Sequence, residues 1–464
     1  MSSYSCRAVL QKTHELALEF LERLDQRPVG RPVDFAGLVE SAGGPLPAEG
    51  EDPVCVIERL ARSIDAGLVA SAGPRFFGFV TGGSVPASLA ADWLTSAWDQ
   101  NGFNYATSPA AAAVEEIAAR WLIELFGLPS GTSVGFTTGC TMSSFAALAA
   151  ARHALLRRLG WDVETQGLFG APPVTVVVSD ESHVTIFAAL QMLGFGRDRV
   201  RRIPTDSQGR MRLEELRIAV KGAQDPLLVC AQAGNVNTGA FDPLPEIAAC
   251  VRAASGWLHV DGAFGLWAAV SPAYRQLTRG IELADSIASD CHKWLNVPYD
   301  SGLVFVRDAA AHRAAMTLSA AYYGRYPEEV RDNYNWVAES SRRARGFTVY
   351  AALRSLGRRG IAEMIERCCA LARRMAERLS SGPGVQILND VVLNQVLVRF
   401  GDADALTDEV IRKVQQDGIC WAGPTTWHGM HAMRISVSNW STSESDIDLS
   451  ANAILRCAGE ATAR

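Results

Sequence analysis

The octapeptide SDCHKWLN, residues 289–296, sets a lysine between a histidine and a tryptophan. The flanking runs ELADSIAS and SGLVFVRD read as short apolar strands, so Lys293 falls at a strand end. A lysine there, in a poorly solvated pocket, is expected to have a lowered pKa and to act as a nucleophilic amine. The plain alternative is a lysine that snorkels to the surface. Three further places put chemistry at a strand end. WLHVDGAFG closes an apolar strand on Asp261, which is costly unless a cation meets it, as a structural ion pair or as a protonated ring nitrogen. SDESHVTI follows the strand VTVVV and carries His183. TTGCTMSS, residues 137–144, leads from SVGF into an Ala-rich helix. Gly139 allows close backbone approach there, and Cys140 and Thr141 offer amide N–H groups and a hydroxyl at the helix N-terminus, which suits a phosphate.

Each of these has an ordinary structural explanation when taken alone. Together, in the order phosphate loop, histidine, aspartate, lysine, they suit one cofactor. Pyridoxal phosphate has a phosphate, a flat ring, a pyridine nitrogen that works best protonated and an aldehyde that forms a Schiff base with lysine.

The elements that must position these residues alternate in period. Ser108-Pro109 reads as an N-cap and first helical residue, the Ala-rich run continues to Leu125, and Gly127 is a stop. Apolar strands are predicted at 174–180, 227–231, 257–261, 284–289 and 302–306, with helical patterns such as 244–254 between several of them. This predicts an α/β fold with a mainly parallel sheet covered on both faces. Ligands of such sheets sit at the carboxyl ends of the strands. After about residue 340 comes a long Arg-rich helical region, then VQILND, NQVLVRF and AMRISVSN as strands of an α+β domain. Residues 1–84 are helical pieces broken by Pro and Gly, which predicts a segment that packs on something else. The expected division is 1–84, 85–345 and 346–464.

With 464 residues, 48% hydrophobic and 20% charged, the composition is that of a globular protein. The formal net charge of −6 argues against a nucleic-acid partner. No run has the length of a membrane span, the N-terminus lacks a signal-type apolar core, and the ten scattered cysteines fit a cytoplasmic protein. The dispersed histidines predict no metal site.

At RFFGF, AGNVNTGAFDP, HVDGAFG, SDCHKWLNVPYDSG and RISVSNW, the chain resembles the group II pyridoxal-dependent amino-acid decarboxylases, which include the aromatic-L-amino-acid and glutamate decarboxylases. The resemblance runs from about residue 75 to 440 and implies a fold-type I, transferase-like architecture with a seven-stranded type of sheet. It implies that Lys293 is the Schiff-base lysine with His292 beside it. Asp261 would partner the pyridine nitrogen, with Ala263 packed under the ring and His183 stacked on its other face. Cys140 and Thr141 match the phosphate-loop positions, cysteine being a mild departure. Asn235 stands where relatives often have threonine. A loop tyrosine that protonates the substrate matches Tyr322 best, with Tyr323 and Tyr326 close by. Arg434 matches an arginine that holds the substrate carboxylate in glutamate decarboxylase relatives, and Phe103 a residue lent to the neighbour's pocket in homodimers with shared sites.

The implied activity is decarboxylation of an L-amino acid to its amine. The expected pocket rim is Phe77, Phe79, Phe103 and Trp267, with Gly78 where aromatic-amino-acid relatives carry a larger residue, so a hydrophobic, aromatic or specialised amino acid is expected. Oxidative deamination to an aldehyde, an aminotransferase or lyase on the same fold, and a catalytically silent binding protein are the competing readings. A nicotinamide-binding fold is disfavoured because no G-x-G-x-x-G follows the first strand.

Overall fold

The computed structural model describes residues 6–222, 225–318 and 330–463. Seven strands build the larger sheet: β1 (Ser133–Thr137), β2 (Thr175–Ser179), β3 (Arg201–Ile203), β4 (Leu227–Gln232), β5 (Trp257–Asp261), β6 (Ser286–Asp290) and β7 (Gly302–Val306). Their order is β1-β7-β6-β5-β4-β2-β3. The run from β6 to β3 is parallel, and β7 is antiparallel to both β1 and β6. The apolar runs are continuous because both faces are covered. Val176, Val178, Leu228, Cys230, Val304 and Val306 pack on the layer that contains helix Cys140–Arg157. Their alternates Val177, Val229, Leu258, Val260, Leu303 and Phe305 join a second core with helices Pro109–Phe126 and Gly346–Ser380.

Local signals act as expected. The Ser108 hydroxyl accepts from the Ala111 amide at 3.1 Å, Pro109 opens the helix, and Gly127 closes it with a φ of 66°.

A second sheet holds β8 (Val385–Ile387), β9 (Gln395–Phe400), β10 (Gly423–Trp427) and β11 (Met430–Ser436), in the order β10-β11-β9-β8 and antiparallel throughout. Strand β10, GPTTW, was not anticipated, since it has a proline and no apolar alternation. The stretch 75–85 is stitched to both sheets. Phe77 donates to Trp421 O at 2.8 Å, Ser436 donates to Phe77 O at 2.9 Å, and Val85 donates to Asn296 O at 2.8 Å. Helices Cys6–Glu22, Phe35–Ala42 and Pro53–Ile64 bury no residue within the chain.

Candidate active site

The site forms where β5, β6 and the helix after β1 converge. Lys293 lies three residues beyond β6, on a turn in which Asn296 donates to the Lys293 carbonyl at 3.3 Å with a φ of 55°. The Asn296 side chain reaches the Ser438 carbonyl at 3.1 Å and accepts from the Trp440 amide at 2.9 Å, tying the lysine turn to the second sheet's domain. Trp294, next to Lys293, is fully buried. Gly82 has to be glycine, because a Cβ there would lie 1.7 Å from the Lys293 carbonyl oxygen.

The Lys293 ammonium sits 2.9 Å from the Asp290 carboxylate, whose side chain is only 3% exposed. This corrects the expected lowered pKa. Burial does press it down, but the ion pair and hydrogen bond with Asp290, with Asp261 nearby, outweigh burial and raise it. Asp290 is the residue the sequence reading missed. Its other oxygen accepts from the Cys140 amide at 2.6 Å and lies 3.6 Å from His292 Nε2. The signal was available: Asp290, like Asp261, is an acid ending an apolar strand.

Asp261 Oδ1 accepts from the Ala263 amide at 3.1 Å and from the Cys140 thiol at 3.4 Å. Burial first, then the Asp261 and Asp290 charges, push the Cys140 thiol well up, so it remains a donor. Among the described residues no donor meets Asp261 Oδ2, which leaves that oxygen for a cation. The amides of Thr141 and Met142, in the first helical turn, likewise have no acceptor among the described residues. His183 caps helix Val184–Met192 through Nδ1, which also meets Thr185 Oγ1 at 2.8 Å. Burial, opposed by Asp261 and aided by the Lys293 and Arg434 cations, lowers its pKa and keeps it neutral. His292 Nδ1 accepts from the Ser301 amide at 3.1 Å, so its proton is on Nε2, and Tyr299 stacks on its ring at 4.4 Å.

The other sequence-derived candidates divide. The β11 residue Arg434 is close enough to depress His183, and its guanidinium has no ion pair or hydrogen bond among the described residues. Both ends of the Asn235 carboxamide are used within the chain: Oδ1 accepts from Asn237 at 2.9 Å and Thr238 at 3.1 Å, and Nδ2 donates to Glu181 O at 3.4 Å. Asn235 therefore shapes a turn and steadies the His183 loop. Phe79 is 63% exposed and stacks on Trp421. Phe103 packs on Tyr334 at 5.0 Å. Phe77 and Trp267 do not form a rim. Both are buried, Trp267 with its indole N–H on the Asp290 carbonyl at 3.0 Å, because the aromatic runs that contain them cross the core. Tyr322, Tyr323 and Tyr326 lie outside the described residues. No group of three or more potential metal ligands occurs among the described residues.

A lysine, an unsatisfied carboxylate oxygen, a neutral imidazole and free helix-terminal amides fit an aldehyde, a ring nitrogen, a ring face and a phosphate. On this sheet they define a fold-type I pyridoxal-phosphate enzyme. The family can be stated as well: residues 41–400 match the pyridoxal-dependent decarboxylase conserved domain, and the chain belongs to that family. It is 27% identical to tryptophan decarboxylase 1 of Oryza sativa subsp. japonica, over 93% of this chain and 90% of the relative. It is 31% identical to the human acidic amino acid decarboxylase GADL1, over 73% and 66%. The fold of the rice tryptophan decarboxylase crystal structure superposes with a TM-score of 0.92, at 24% identity and 99% coverage of both chains. The protein is a pyridoxal-phosphate-dependent carboxy-lyase that acts on an amino acid.

Proposed function

We propose that this enzyme converts an L-amino acid with an apolar or aromatic side chain into the corresponding amine. The observation that carries this reading is that Arg434, without an ion pair or hydrogen bond among the described residues, is the strand partner of Gly423, against which Trp421 of the stacked Phe79–Trp421 pair lies. Arg434 then holds the carboxylate that leaves, and among the described residues no guanidinium or ammonium lies over the Phe79 or Trp421 ring. When bound, the pyridoxal group supplies the electron sink for breaking the bond to that carboxylate. Lys293 would hold the group covalently, Asp261 would keep its ring nitrogen protonated, and Ala263 and His183 would line its ring. The free amides of Thr141 and Met142, with His292, would bound the phosphate end, the expected Cys140 amide being taken by Asp290, and Asn235 steadies the His183 loop. Return of a proton to the substrate carbon is the task the resemblance gives to Tyr322; His183, which burial keeps neutral, would have to take up a proton before it could donate one there.

The further proposal is a cytoplasmic homodimer with shared sites, in which 1–84 packs across two copies, 85–345 binds the cofactor, 346–464 forms the small domain, and Phe103 serves the neighbour. The largely exposed Phe35 (78%) and Leu46 (94%) support such packing. No helix among the described residues is long and apolar enough to cross a membrane.

A 25% identity to a Rhodiola rosea 4-hydroxyphenylacetaldehyde synthase gives the aldehyde reading its footing. The test is a product screen: enzyme and cofactor with a panel of L-amino acids in air, read by mass spectrometry. Amines from apolar or aromatic substrates are expected. Aldehyde with peroxide replaces the amine reading, and turnover confined to acidic or basic amino acids overturns the substrate class.

A further inference from the structure

The segment that touches Lys293 through Gly82 begins with an unfavourable turn. Thr81 donates to the Gly78 carbonyl at 3.0 Å, closing a four-residue turn whose central residues, Phe79 and Val80, have φ of 53° and 60°. Two left-handed residues in succession suit Asn and Gly, and a β-branched valine is among the least suited. Such sequence-structure conflict tends to mark functional surfaces. Its effect here is to bury Val80 and to turn the Phe79 ring outward.

The Phe79 ring meets Trp421, with centroids 5.4 Å apart and planes 29° from parallel. The same indole stacks on Phe76 at 5.0 Å and 15°. Gly78 makes this possible: a Cβ there would lie 2.2 Å from Trp421 Cζ3. Gly30 does the same at another edge, with a Cβ placed 2.7 Å from Cδ1. The indole thus occupies the space that a side chain at 78 would take, and Val29, Ala70 and Phe76 fix it there. Trp421 is also in step with Arg434. Gly423 pairs directly with Arg434 across the β10–β11 ladder, and Trp421 lies two residues before it, so the period of two puts all three on one face. A Cβ on Gly423 would be 3.2 Å from Trp421 Cη2, so the indole leans along the strand over Gly423, the position paired with Arg434.

We infer that Trp421 sets side-chain specificity. With Phe79 it forms an aromatic platform beside Arg434, selecting a planar or large apolar side chain once the carboxylate is on Arg434. Offset ring stacking and removal of apolar surface from water supply the preference. The inference rests on the apolar-substrate reading above.

The experiment uses the full chain loaded with pyridoxal phosphate and L-amino acids graded from alanine to tryptophan. Binding is read from the absorbance change of the bound cofactor and turnover from amine release. Trp421→Ala is expected to raise KM for the preferred aromatic substrate about tenfold while kcat falls less than about threefold, and Trp421→Phe to stay within about threefold of the parent. Gly78→Ala, which collides with the indole, is expected to weaken binding and lower the melting temperature, and to do so much less in a Trp421→Ala background. Unchanged substrate ranking in Trp421→Ala, or a Gly78→Ala effect equal in both backgrounds, overturns the inference. A parent enzyme that prefers acidic or basic amino acids overturns the substrate reading instead, a failure seen before any variant is made.

Discussion

The two sheets contribute to the site in different ways. The ends of β5 and β6 gather Asp261, Asp290 and Lys293 into a buried cluster in which Asp290 takes the Lys293 ammonium and the Cys140 amide and Asp261 takes the Ala263 amide. Strand β11 and the residues just before β10 contribute the Arg434 guanidinium, without an ion pair or hydrogen bond among the described residues, and the Trp421 indole. On the reading proposed above, the first arrangement holds and activates, its groups shifting each other's protonation, and the second recognises, through one charge and apolar area. A reaction common to a family can stay on the first sheet while substrate choice changes on the second. Damage to the large-sheet cluster should therefore appear in kcat and in cofactor retention, and damage to the small-sheet face in KM.

The largest effect expected is from Lys293→Ala, which should lower kcat by at least about a thousandfold and abolish covalent retention of the cofactor through dialysis. Asp261→Asn, which removes the charge without changing the shape, should cost about a hundredfold to a thousandfold in kcat with a smaller change in KM. An effect confined to KM would blur the division between the sheets.

Stability should also depend on the large sheet. His259 is buried in β5, its Nδ1 3.0 Å from Ser286 Oγ, and burial lowers its pKa from 6.5 to about 4. Between those values the unfolded chain holds the proton and the folded chain does not, so stability falls as pH drops through that window. Urea unfolding at pH 6.5 and at pH 4 should show the parent losing of order 3 kcal/mol more than His259→Gln. Asp242, pushed up to about 6 by burial, works in the opposite sense but is common to both proteins.

Smaller again, Arg434→Met should raise KM about tenfold to thirtyfold with a modest loss in kcat, as fits one charge-assisted contact. The smallest effect expected is a pH displacement. In Asp290→Asn the Lys293 ammonium loses its paired carboxylate, its pKa falls, and covalent capture of the cofactor should reach half its maximal rate at lower pH than in the parent. An unmoved profile would show that Asp290 does not control the lysine.

The large-sheet cluster was legible in the sequence because each member follows an apolar strand, where a polar residue needs a reason. Lys293, Asp261, His183 and the Cys140–Thr141 turn come together as those strands implied. What was not legible depended on distance in three dimensions. The sequence marks Asp290 as an acid ending an apolar strand, but that the Lys293 ammonium meets it rather than Asp261, reversing the direction of its shift, is not in the spacing. Trp421 is remote in sequence from Gly78, and only the parallel bridge between Phe76 and Trp421 shows why that glycine is small. Phe77 and Trp267 were misplaced because an aromatic residue near a site is equally at home in the core behind it.

The most direct test of the central claim is to find the lysine that carries the cofactor. The chain has only four lysines, at 12, 221, 293 and 413. Lys12 pairs with Glu15 and Glu58, Lys413 pairs with Glu460, and Lys221 is exposed. Borohydride reduction of the loaded enzyme, followed by digestion and mass spectrometry, should place one pyridoxyl group per chain on the peptide containing His292 and Lys293. A stoichiometric adduct on any of the other three lysines, with Lys293 unmodified, would contradict the assignment of the site.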